Sequence, residues 1–91
     1  MNTKEIFATL EAKKLNKSYF WRKEYDNGTT LFEYKLFEPE TEKPFAFMQF
    51  GAFNDNGNLI GLSVTSADDM RNPIDCESME VFSNVLDNLM N

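Results

Sequence analysis

Asn-Gly occurs twice in this chain, at Asn27-Gly28 and Asn56-Gly57, and each pair is flanked by alternating side chains. No other short pattern restricts the fold as much. Asn and Gly readily take the two positive φ angles of a type I′ turn, so each pair marks a tight reversal between antiparallel strands. The first pair joins a run at 19–25 to one at 30–37. With Asn27-Gly28 as a two-residue loop, Tyr25 faces Thr30, Lys23 faces Phe32, Trp21 faces Tyr34 and Tyr19 faces Leu36. The other side pairs Arg22 with Glu33 and Phe20 with Lys35, so one aromatic and one charged face are expected.

The second pair joins 45–53 to 59–66. A turn at Asn56-Gly57 places Phe53 opposite Ile60, Gly51 opposite Leu62 and Gln49 opposite Val64. Phe45, Phe47, Phe53, Ile60, Leu62 and Val64 then form the expected core face. The back face (Ala46, Met48, Phe50, Ala52, Gly61, Ser63, Thr65) is small and half polar, so a loop or a second subunit is expected to cover it.

Helical periods flank the hairpins. Ile6, Phe7 and Leu10 share a side behind the capping residues Asn2 or Thr3 and Glu5. Lys13 and Lys14 complement the negative end of that helix dipole, and Asn16 is the expected left-handed stop. At the other end Asp75 is the expected cap of a helix carrying Met79, Phe82, Val85, Leu86 and Leu89 on its inner side. The segment 38–44 holds two prolines and reads as an exposed loop, and 66–73 reads as loop or a short turn. The expectation is a single α+β domain over residues 1–91. Its order is α-β-β-β-β-α, a four-stranded antiparallel meander of two hairpins flanked by an N-terminal and a C-terminal helix.

Hydrophobic residues make up 42% of the chain, enough to predict a folded core. A core this small leaves self-association as an expected source of extra stability, so a homodimer is an open expectation. The one cysteine forms no intramolecular disulfide, and charges interrupt the N-terminal apolar residues, which together predict a cytoplasmic protein without a membrane span. Ten Asn, nine Phe and seven Lys beside two Arg match an AT-rich coding sequence, as in many microbes and bacteriophages.

No histidine is present, so the side chain best suited to proton transfer near neutrality is missing. Cys76 lies between Asp75 and Glu77, whose charges oppose a thiolate. Asp68-Asp69 is an adjacent acidic pair in a loop, with nothing to desolvate either carboxyl. Residues 54–58 resemble a calcium loop only superficially, since the spacing and the closing Glu are absent. The glycines at 28, 51, 57 and 61 form no phosphate loop. A non-enzymatic protein with no metal and no cofactor is expected.

Binding is the better expectation, and charge points to the partner. Residues 1–23 carry six basic and two acidic side chains; residues 24–91 carry three basic and thirteen acidic ones. The candidate contact residues are Glu38, Glu40, Glu42, Asp68, Asp69, Glu77, Glu80 and Asp87. In an extended loop Glu38, Glu40 and Glu42 lie about 6 to 7 Å apart, like neighbouring phosphates on one strand. Such a surface resembles small phage-encoded DNA mimics, which implies an inhibitor that occupies the basic surface of a nucleic-acid-handling protein. The alternative is a single-stranded nucleic-acid binder that stacks bases on Trp21, Tyr19 and Tyr34 beside Arg22 and Lys23. A third option rests on overall plan, since sheet, helices and acidity together resemble small dimeric secretion chaperones.

Overall fold

The computed structural model describes residues 1–90. Helix α1 (Thr3–Ala12) leads into β1 (Asn16–Glu24), β2 (Thr29–Phe37), β3 (Ala46–Phe53), β4 (Leu59–Ser66) and β5 (Asp69–Asp75), and the chain closes with α2 (Met79–Leu89). The strands pair as one antiparallel sheet in the order β1-β2-β3-β4-β5. The plan is α+β as expected, but with five strands where two hairpins predict four. The fifth strand occupies most of the 66–73 segment expected to be loop. Its ladder with β4 is short and irregular, and Pro73 is tolerated because β5 is an edge with no neighbour to receive an N–H. With β5 ending at Asp75, the cap of α2 falls to Ser78, whose Oγ accepts from the Val81 N–H at 3.1 Å.

Both hairpins form, each one residue away from the expected register. In the first, Arg22 lies opposite Phe32, Lys23 opposite Leu31 and Trp21 opposite Glu33. The reason is the turn. Of Asn27 and Gly28 only Gly28 has positive φ, at 85°, and the ladder closes at the Tyr25–Thr29 pair around Asp26, Asn27 and Gly28. The Asn27 Oδ1 accepts from the backbone N–H and hydroxyl of Thr29, which holds this longer loop. Arg22 therefore does not pair with Glu33; its guanidinium lies 3.6 Å from Glu24 on the same strand. A bulge at Phe20 shifts the register again, placing Tyr19 opposite Tyr34.

The second hairpin slips the same way, with Gly51 opposite Gly61 and Met48 opposite Val64. Its connection runs from Phe53 to Asn58, and Gly57 takes the positive φ of 72°. A one-residue slip exchanges the faces of a strand. Ala46, Met48, Phe50 and Ala52, expected at the back, supply the buried apolar side chains of β3, and Leu62 and Val64 join them from β4. Phe53 and Ile60, expected inside, are exposed. The small β3 side chains are covered by helices of the same chain, with no need of a loop or a second subunit. Ile6 and Leu10 of α1 and Phe82 and Leu86 of α2 complete this core. Phe7 meets the rings of Tyr34 and Phe50 edge-on, at 5.8 and 6.2 Å.

Asn2 caps α1 through its Oδ1, which accepts from the Glu5 N–H at 2.9 Å. The helix ends at Lys14 (φ 59°), one of two residues other than glycine with positive φ among those described, whereas Asn16 is already strand. The Leu15 N–H donates to Leu10 O and the Lys14 N–H to Glu11 O, a Schellman closure sealed by the buried Leu10 and Leu15. Lys13 reaches Asp87 at 2.6 Å, so α1 and α2 end side by side. Both helices lie on one face of the sheet. Among the described residues no element covers the other face.

Candidate functional site

The uncovered face carries one row of side chains that crosses every strand. Trp21 (β1) stands opposite Glu33 (β2), Glu33 opposite Gln49 (β3), Gln49 opposite Ser63 (β4) and Ser63 opposite Asp75 (β5). Hydrogen bonds join its middle. The Gln49 Nε2 donates to Glu33 Oε1 at 3.0 Å, and the Gln49 Oε1 accepts from Ser63 Oγ at 3.1 Å and from Thr65 Oγ1 at 3.4 Å. These bonds fix the amide orientation of Gln49 and hold the Glu33 carboxylate against the sheet.

Two residues along the strands the next row runs Lys23, Leu31, Gly51, Gly61. Adjacent glycines without side chains leave a hollow beside the polar row. The result is a groove of about 370 Å³ whose lining includes Trp21, Leu31, Glu33, Ile60, Gly61 and Asp75. The two glycines differ. A Cβ at Gly51 would sit 2.8 Å from both Ile60 Cγ1 and Leu31 Cδ2, so those side chains close over it, while at Gly61 nothing lies within 4 Å. The open floor is therefore at Gly61.

The two charged side chains that line the groove are both acidic. Glu33 and Asp75 line it, and neither takes part in the ion pairs Met1–Glu5, Lys13–Asp87 and Arg22–Glu24. Two cations that the sheet register places nearby lie against aromatic rings. The Lys23 ammonium lies 5.1 Å from the centre of the Tyr25 ring and that of Lys35 lies 4.9 Å from the Phe20 ring. Trp21 is 48% exposed and enters none of the ring pairs among the described residues.

The eight expected contact residues divide between the ends of the molecule. Glu38, Glu40 and Glu42 lie in the β2–β3 connection, and Asp68 and Asp69 at the β4–β5 turn; the Ala67 N–H donates to Phe45 O at 3.0 Å, so the two connections adjoin. Glu77 and Glu80 stand at the start of α2, near the opposite end, and Asp87 is taken by Lys13. The loop is not extended from 38 to 41. The Thr41 N–H and hydroxyl both donate to Glu38 O, and Glu40 has φ 62°, as the third position of a turn after Pro39 requires. The extended backbone on which a phosphate-like spacing of Glu38, Glu40 and Glu42 depends is therefore broken by a turn.

The expected base-stacking platform is also divided. Because of the bulge at Phe20, Tyr19 packs against Tyr34 at 5.8 Å on the helix-covered side, whereas Trp21 lies on the open side. Cys76 is buried between β5 and α2, and burial, reinforced by the Asp75 charge, pushes its thiol up to about 11. Its chemistry is that of a core side chain.

Glu33, Gln49, Ile60 and Gly61 were not among the expected site residues. One signal for them was present, since Gln49 is the sole polar side chain within β3. No protein-family model, curated protein or solved structure matches the chain.

Proposed function

We propose that the chain is a non-enzymatic binding module that engages a basic, nucleic-acid-handling protein through its acidic end. The observation that carries this reading is the adjacency of the β2–β3 connection and the β4–β5 turn, which gathers Glu38, Glu40, Glu42, Asp68 and Asp69. Glu40, Glu42 and Asp68 make no ion pair among the described residues, and Asp69 accepts from the neutral Asn72 amide. Lys43 lies within the same connection, but the acids outnumber it. A concentrated negative patch raises the encounter rate with a basic surface and competes there with phosphates.

Core histones are a defined probe of that class. At about 50 mM salt the chain should bind them and displace duplex DNA, with an affinity that falls steeply as salt rises. Replacing Glu40, Glu42, Asp68 and Asp69 by their amides should weaken binding about tenfold without shifting thermal unfolding, because these groups are solvated. Unchanged affinity in that folded variant would remove the reading. Saturable quenching of Trp21 by a single-stranded oligonucleotide, with no histone binding, would transfer it to nucleic acid itself.

A further inference from the structure

The groove on the open sheet face lies apart from the acidic end, and its chemistry identifies an occupant. An anion is opposed by Glu33 and Asp75, which carry the only formal charges among the lining residues. A purely apolar group would desolvate the Glu33 carboxylate, already half-buried and bonded through one oxygen to Gln49, without replacing its water. A cation with an apolar stem meets neither cost. Leu31 and Ile60 offer aliphatic walls, the bare Gly61 backbone offers a floor, and the unengaged indole of Trp21 stands beside Glu33.

Among protein cations the guanidinium suits this arrangement best. It is planar, so it lies on an indole face while its N–H fork meets a carboxylate edge-on; an ammonium offers a point charge without that shape. Glu33 and Asp75 are separated by three strand spacings, about 14 Å, so one guanidinium engages Glu33 and Asp75 adds a field that favours a second positive residue. The geometry points to an anchor pocket for an arginine side chain of a basic protein partner, its guanidinium at Trp21 and Glu33 and the adjoining peptide crossing the open floor at Gly61. This rests on the reading of a basic partner given above, and adds to it a site on a different surface.

Hexa-arginine and hexa-lysine peptides test it, with Trp21 fluorescence and calorimetry as readouts at low salt. Hexa-arginine should perturb Trp21 saturably and bind about threefold or more tightly than hexa-lysine. Glu33→Gln removes the charge, and Gly61→Leu fills the floor at a position with free space and no positive φ. Each should weaken hexa-arginine about tenfold, and Glu33→Gln, which removes the group that the guanidinium fork meets, should abolish its advantage over hexa-lysine. The amide variant of the acidic end should weaken both peptides alike and keep the arginine preference.

Equal hexa-arginine affinity in the parent, Glu33→Gln and Gly61→Leu would overturn the pocket, as would calorimetric binding that leaves Trp21 unperturbed. Loss of binding in the acidic-end variant alone would remove the pocket and leave the functional reading standing. Loss in the groove variants alone, with the acidic-end variant unaffected, would keep the pocket and remove the acidic end. Absence of peptide binding by both readouts overturns both.

Discussion

The two faces of the sheet are built from the same strands yet obey different rules. On the covered face Phe32 and Phe50 stack at 5.1 Å, Tyr34 and Phe50 at 6.0 Å, and Met48 and Val64 are fully buried beneath the helices. On the open face Glu33, Gln49 and Ser63 join through hydrogen bonds, and Leu31 and Ile60 border bare glycine. Burial makes the first face sensitive to volume, since interior atoms have no water to replace a lost contact. Solvent makes the second tolerant, and therefore available for recognition. The contrast between a face that holds the fold and one left open to a ligand can be broken by substitution.

The largest effect is expected at Phe82, fully buried at the centre of α2. Phe82→Ala should cost about 3 to 5 kcal/mol, a large part of the stability of a domain this size, whereas Gln49→Ala on the open face should cost about 1 kcal/mol or less. Urea unfolding of the two variants checks the difference. Comparable losses would show that the polar row, too, is structural.

Cys76 sharpens the same contrast by pH. Its thiol titrates near 11 in the folded chain against 9.0 for the unperturbed group. A raised folded value means the neutral thiol favours folding: the contribution is complete below about 9, declines between 9 and 11, and is gone above. The loss should reach about 2 to 3 kcal/mol, since each tenfold change in the thiolate's proton affinity is worth about 1.4 kcal/mol. Stability curves for the parent and Cys76→Ala between those pH values should converge. Parallel curves would show that the thiol is not responsible.

The third effect concerns the cover itself. Lys14 holds φ 59° to close α1 over the sheet. Lys14→Gly removes the strain of a side chain in that region and should raise stability by about 1 kcal/mol, read as a higher urea midpoint. A lower midpoint would mean that the lysine side chain contributes more than its backbone costs.

Much of this contrast is legible in the amino-acid sequence. The Asn-Gly pairs placed both hairpins, and the periods of Ile6, Leu10, Phe82 and Leu86 placed both helices with the correct inner sides. What was not legible was one residue of register in each turn. Asn27 adds a side-chain bond to Thr29 and makes the loop longer than the two residues that the dipeptide alone suggests. That slip hid the alignment of Gly51 with Gly61, while Glu33 meets Gln49 in the β2–β3 ladder, whose register no Asn-Gly turn sets. In β3, residues such as Phe47 and Phe50 put apolar groups on both sides, so composition could not decide which side is core. The fifth strand escaped because its residues lack alternation and include Pro73.

The smallest effect tests the open face at its two glycines, which are neighbours in register with opposite surroundings. Gly61→Ala adds a methyl to empty space and removes excess freedom from the unfolded chain, so a gain of a few tenths of a kcal/mol is expected. Gly51→Ala drives its methyl into Ile60 and Leu31 at 2.8 Å. Ile60 is half exposed and can turn toward solvent, which limits the loss to about 1 kcal/mol. The signs should therefore differ between directly paired positions. Equal, favourable changes would mean that Leu31 and Ile60 already move freely and that the groove has no fixed wall. Opposite signs would show that its wall is formed before any ligand arrives, the condition under which an occupant's binding energy is not consumed in shaping its own site.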